Sequence, residues 1–181
     1  MKKIILIIIT MLVLCGCANL NNTPTKKVEK FLNNYQTLNS DVLDDLNNTL
    51  DKDTTLSNDM KEKYRDFMKK HYQDLTYEIK NETINGDNAE VDAEITVRDY
   101  SDVVGNAESY KIDNKDKFND DNGNYDVNLF TQYRLEKLKE VKKTSTYTIK
   151  FNLIKKNDTW KLEELSKEDI SKINGLYMSA Y

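Results

Sequence analysis

The chain has 181 residues, with 27 Lys+Arg against 31 Asp+Glu and a formal net charge of −4. That length predicts one domain, and a hydrophobic content of 38% is enough for a packed core, which excludes wholesale disorder. The acidic balance argues against a nucleic-acid binder, which would carry a basic stripe. Five Gly and one Pro exclude collagen-like and low-complexity chains.

The first twenty residues read as an address. Lys2 and Lys3 form a positive start, and Ile4 to Leu14 an apolar run broken only by Thr10. Eleven residues suit a signal-peptide core and are too few for a spanning helix, which needs roughly 17–25. Leu14-Cys15-Gly16-Cys17 follows directly. This resembles the bacterial lipobox, which implies a diacylglyceryl group on the Cys17 sulfur and cleavage before it. Cys15 is the poorer acceptor because bulky Leu14 would precede the cut. The alternatives are an uncleaved anchor or an ordinary secretory peptide that happens to end in Cys.

On that reading residues 1–16 are a signal peptide, 17–23 a lipidated Cys with a short tether, and 24–177 a single domain. The processed chain has no free thiol and no disulfide, so Cys-based catalysis and Cys-ligated zinc are excluded. Two acyl chains anchor firmly where one is marginal. The six residues from Ala18 to Thr23 reach at most about 20 Å, so the domain sits close to the bilayer.

Thr23-Pro24 reads as an N-cap with Pro at the first helical position. Val28, Phe31, Leu32, Tyr35 and Leu38 then form one apolar face. Ser40 opens a second helix with Val42, Leu43, Leu46 and Leu50 inward, and a third carries Met60, Tyr64, Phe67 and Met68. From Leu75 the period becomes two. Tyr77 and Ile79 lead to an Asn85-Gly86 hairpin turn, and the returning strand alternates Ala89, Val91, Ala93, Ile95 and Val97 with polar neighbours. Residues 99–126 hold eight acids against Lys111, Lys115 and Lys117, and read as a mobile, solvated connection. A helix over Val127 to Val141 follows. A long strand then carries Tyr147, Ile149, Phe151 and Leu153, and turns at Asn157-Asp158 into a partner with Trp160 and Leu162. Ser166 with Asp169 caps a short last helix closed by Gly175.

This order of helices, hairpin, break and second hairpin ending on Trp resembles a family in three stretches: TPTKKVEKFLNNY at 23–35, NGDNAEVDAEITV at 85–97 and YTIKFNLIKKNDTWKLEEL at 147–165. They look like small Gram-positive extracytoplasmic lipoproteins with a nuclear-transport-factor-2-like, or cystatin-like, fold. The resemblance implies an α+β domain in which N-terminal helices pack on a curved, mainly antiparallel four-stranded sheet, cone-like. It says almost nothing of function, since this architecture hosts many activities.

Sites for chemistry are scarce. His71 is the one histidine, and a lone His is usually structural. No metal-ligand spacing, nucleophile elbow or Gly-rich phosphate loop occurs. Asp120, Asn122 and Gly123 mimic the middle of an EF-hand, but Phe118 and Leu129 stand where its end carboxylates belong. The lysine-rich face Arg134, Lys137, Lys139, Lys142 and Lys143 is either solvated or docked on the acidic stretch. Tyr77, Tyr147 and Trp160 are pocket-lining candidates, as are Asp99 and Tyr100; the competing reading makes the aromatics core residues with polar tips at the rim.

The resulting expectation is a lipid-anchored protein on the outer face of the bacterial cytoplasmic membrane. It would serve as a non-catalytic module for an envelope protein, peptide or small ligand, with no cofactor, metal or nucleic acid. The alternative is a small-molecule isomerase or dehydratase using the sheet–helix cavity. In cell fractionation, Cys17→Ala is expected to leave the membrane fraction; membrane retention equal to the natural chain would refute the anchor.

Overall fold

The computed structural model describes residues 22–177, so the signal-peptide reading of 1–16 and the lipidation of Cys17 lie outside the described residues. The order is α1 (Pro24–Gln36), α2 (Ser40–Lys52), α3 (Asn58–Asp74), β1 (Thr76–Asn85), β2 (Asn88–Arg98), α4 (Ser101–Asp113), a 3-10 turn (Lys115–Phe118), α5 (Val127–Lys139), β3 (Thr144–Lys156), β4 (Thr159–Leu162) and α6 (Lys167–Ile173). It is an α+β fold with a curved, open, four-stranded sheet in the order β1-β2-β3-β4, antiparallel throughout.

Local chemistry starts the helices where the sequence marks them. The Thr23 hydroxyl accepts from Lys26 N at 3.1 Å ahead of Pro24, and Ser57, Asp126 and Ser166 cap α3, α5 and α6 in the same way. The Glu82 carboxylate adds a second cap to α1, accepting from Thr25 N and Oγ1 at 2.8 and 2.7 Å, an anion against the positive helix end. Glu82 reaches it because the β1–β2 register shifts between Ile79 and Asn81; beyond that bulge Glu82 stands opposite Val91.

Both hairpins close with two-residue loops. Gly86 has φ +60 at the first loop position, a role that suits glycine. Asn157 and Asp158 have φ 49 and 57, a pair of left-handed residues that Asn and Asp tolerate and that matches the twist of β3 and β4.

The inner face of the sheet is closed. Val91, Ala93, Ile95, Ile149 and Phe151 are fully buried against Val28 and Leu32 of α1. The space between the curved sheet and α1 is therefore filled by close-packed side chains. A second cluster joins α2, α3 and α5 through Leu46, Leu50, Met60, Phe67, Met68, Leu135 and Leu138.

The acidic stretch 99–126, expected as a solvated connection, instead contains α4 and the 3-10 turn. Its Ala107 and Phe118 are buried with Phe130 of α5, forming a third small cluster. Apolar residues of α4 recur at helical spacing (Val103, Ala107, Tyr110), which gives α4 a face to bury despite Gly105 and the surrounding acids. Part of the lysine-rich face docks on this stretch: Lys143 Nζ lies 2.8 Å from Asp102 and Arg134 4.0 Å from Glu108.

Trp160, the second residue of β4, is 7% exposed within the main cluster. Truncating such a residue typically costs about 3–5 kcal/mol, a large part of the roughly 5–15 kcal/mol that holds a domain. Trp160→Ala is expected to lose about that much in urea denaturation, and native Trp160 fluorescence to be blue-shifted. A red, quenchable native emission with unchanged stability would contradict the assignment.

Candidate functional site

Tyr77 and Tyr147 lie in one cross-strand row, on either side of fully buried Ile95. Both pack on the main cluster, and their tips meet different partners. The Tyr77 hydroxyl donates to Asn33 Oδ1 at 3.0 Å on α1, and the Tyr147 ring meets Tyr177 edge-on at 5.6 Å. Trp160 is in the core, three strands from Tyr77 at the opposite edge of the sheet.

Asp99 and Tyr100 act at a junction. The chain leaves the sheet at Arg98 and rejoins it at Thr144, its ladder partner, and Asp99 N donates to Lys143 O at 3.0 Å just beyond. The Asp99 carboxylate accepts from Ser101 N and Oγ at 3.1 and 2.5 Å, from Ser145 Oγ at 2.7 Å, and pairs with Lys143 Nζ at 3.1 Å. Burial pushes this carboxyl up, but the Ser101 and Ser145 bonds, helped by Lys143, overcome it and hold the group at about 2. A carboxylate so engaged is far from the basicity of a proton acceptor working near neutrality. Tyr100 N donates to Gly175 O at 2.8 Å, and burial raises the Tyr100 hydroxyl to about 12.

A cleft of about 470 Å³ opens instead between α1, α2 and α3, with the end of α6 along one side. One tyrosine from α1 and two from α3 form its wall: Tyr35, Tyr64 and Tyr72. Tyr35 and Tyr72 pack edge to face at 5.0 Å, and the Tyr72 hydroxyl donates to Asn174 Oδ1 at 3.3 Å. Burial raises all three phenols, so they stay neutral donors at any physiological pH. Asp45, Asn48, Thr49 and Lys52 of α2 form a polar rim, while Ile170 and Leu176 are exposed at 43% and 38% on the opposite side. Aromatic walls, a few polar groups and exposed apolar edges are the attributes of a binding cleft.

Sequence reasoning placed Tyr35 and Tyr64 on apolar helix faces and did not join them. Their common feature is the position of each at the boundary of its helix's buried stripe, but the juxtaposition depends on how three helices cross. Among the described residues no group of three or more His, Cys, Asp or Glu is placed to hold a metal ion, and no helix is long and apolar enough to cross a membrane.

No protein-family model and no curated protein matches the chain. Among solved structures, a Bacillus subtilis protein described as a "putative lipoprotein" (ycdA) aligns with a TM-score of 0.48 and 16% identity, over 78% of this chain and 47% of that one. The chain thus spans about half the length of that neighbour.

The Asp99 junction has a pH signature. Its carboxyl is lowered from 3.8 to about 2, so its stabilisation is complete above pH 3.8 and is lost as pH falls towards 2. At 1.36 kcal/mol per unit that is about 2 kcal/mol. Lys143 is more than half exposed, so the ion pair contributes little of it and the hydroxyl and N–H bonds the rest. Asp99→Asn is expected to lower stability at pH 7 by about 2 kcal/mol and to flatten the stability profile between pH 4 and 2; an unchanged profile would refute the assignment.

Proposed function

We propose that the chain is an extracytoplasmic lipoprotein, held through Cys17 on the outer face of the cytoplasmic membrane, whose domain is a non-catalytic binding module related to the nuclear-transport-factor-2-like proteins. The tyrosine-walled cleft is its ligand site, and an envelope protein, peptide or small ligand its partner. The lipobox residues Leu14 to Cys17 support the anchor.

The observation that carries the binding role is the cleft itself. It combines an aromatic wall, neutral phenol donors and exposed apolar edges in a concave space. Its placement suits a tethered protein. The described chain begins beside the hairpin turns, where Asn22 Nδ2 donates to Asp158 O at 2.6 Å and Asn22 Oδ1 accepts from Trp160 N at 3.3 Å. Tyr35 lies about 20 Å further along α1 at 1.5 Å per residue, which points the cleft away from the end where the tether enters. The alternative catalytic reading gains no support from Asp99, whose acceptor capacity is already used.

A photo-crosslinking residue at Thr49, on the cleft rim, tests this in intact cells against the same residue at Thr148, on the outer sheet face. A discrete adduct from Thr49 alone, abolished when Asn48→Trp fills the cleft, is the expected result. Adducts only from Thr148, or an adduct at Thr49 indifferent to Asn48→Trp, would overturn the assignment.

A further inference from the structure

Three of the chain's five glycines follow an asparagine: Asn85-Gly86, Asn122-Gly123 and Asn174-Gly175. Glycine has no Cβ, so its backbone nitrogen can approach the side-chain amide carbon of the preceding Asn without obstruction. Two freedoms decide whether the approach occurs. The glycine N–H must not be held in a hydrogen bond, and the Asn side chain must be able to turn back on it. The three sites differ in both.

At Asn174 both freedoms are withheld. Gly175 N donates to Lys172 O at 3.0 Å, and Asn174 Oδ1 accepts from the Tyr72 hydroxyl at 3.3 Å. Asn122 is also tied: Gly123 N donates to Asp120 O at 2.9 Å, and the Asn122 side chain and N–H both engage the Asp120 carboxylate. Asn85 stands apart. Residues 81–88 are exposed throughout, and Gly86 N has no hydrogen-bond partner among the described residues. The space beside Gly86 is open, with no atom within 4 Å of where a Cβ would stand. What holds Asn85 is its pairing with Asn88, the last pair of the β1–β2 ladder. Turning the Asn85 amide onto Gly86 N releases that pair alone, and terminal pairs open locally at little cost. Asp87 O accepts from Lys155 N at 2.7 Å, so the turn opens on its Asn85 side.

We propose that Asn85 is a site of self-modification, at which the chain deamidates through a cyclic imide. Gly86 N, having given its proton to hydroxide, attacks Asn85 Cγ. The new N–C bond closes a five-membered succinimide as the Cγ–Nδ2 bond breaks, and Nδ2 takes up a proton and leaves as ammonia. Water then adds to one of the two imide carbonyls. Cleavage of the N–Cγ bond gives aspartate; cleavage of the bond from N to the main-chain carbonyl carbon leaves the chain running through Cγ as isoaspartate. The net change is water in and ammonia out, with no oxidant or reductant. Either product places a carboxylate next to Asp87, and isoaspartate also lengthens the main chain by a methylene. Loop length sets the register of a hairpin, so the isoaspartyl form is expected to lose the Asn85–Asn88 pair. The inference rests neither on the lipid anchor nor on the tyrosine cleft.

The full chain, kept folded in detergent micelles in 18O-labelled water at mildly alkaline pH, tests the proposal by peptide mapping, because opening of the imide leaves 18O in the carboxyl group of each converted site. Asn85 is expected to convert about tenfold or more faster than Asn122 and Asn174, whose glycine N–H bonds must first be given up. In denaturing urea the three sites are expected to convert at similar rates, since only the fold separates them. Asn85→Gln, which would have to close a six-membered ring, should take up no 18O in that peptide. Four results would overturn the proposal: Asn122 or Asn174 keeping pace with Asn85 in the folded chain, Asn85 converting only in urea, the tenfold order persisting in urea, or uptake in the same peptide of Asn85→Gln.

Discussion

The closure of one excursion holds this fold together. β2 and β3 are neighbours in the sheet, yet α4, the 3-10 turn and α5 are inserted between them. Keeping the two strands in register at their open end requires the chain to be pinned where it leaves and returns. Asp99 does this by hydrogen-bonding the chain on both sides of the gap: Ser101 after the exit, and Lys143 and Ser145 at the return. The same point receives the C-terminal region. Gly175, at φ +67, ends α6 against it, and a Cβ there would stand 2.0 Å from Arg98 O. Sheet, insertion and last helix converge on three consecutive residues, Arg98 to Tyr100.

Much of this was legible in the sequence because the signals were local. The strict alternation from Ala89 to Val97 needs no neighbour to interpret it, and both hairpin turns carry residues that tolerate left-handed backbone. Three features were not legible. The β1 bulge that brings Glu82 to the start of α1 is a one-residue slip, and a strand with polar residues on both faces does not reveal it. α4 was hidden because its apolar face is narrow: Ala107 is its buried residue, with Val103 and Val104 only partly buried against the second cluster. The tyrosine cleft depends on Tyr35 and Tyr72 meeting from different helices, a tertiary event without a sequence marker.

Electrostatics divides the surface into two kinds. On the outer face of the sheet, charges neutralise one another across strands, as Lys150 with Glu90 and Lys80 with Glu94, and along β1, as Lys80 with Glu78. Such pairs add little stability, and they give the sheet an unremarkable potential. Around the ends of α3 and α5, Lys70, Lys139 and Lys142 have no ion-pair partner among the described residues and outnumber the one nearby acid, Asp74. A modest net charge of −4 therefore conceals a local positive region in an acidic protein.

The two ends of the sheet also set how the domain would respond to force. Asn22 joins the chain's entry to the β3–β4 turn, and the α4–α5 excursion leaves from the opposite end of β2 and β3. A pull between the entry and a partner gripping the far end would run along the strands, whose 11-residue β2 spans about 35 Å. That direction loads the β2–β3 ladder in shear, so its hydrogen bonds would resist together instead of opening one after another.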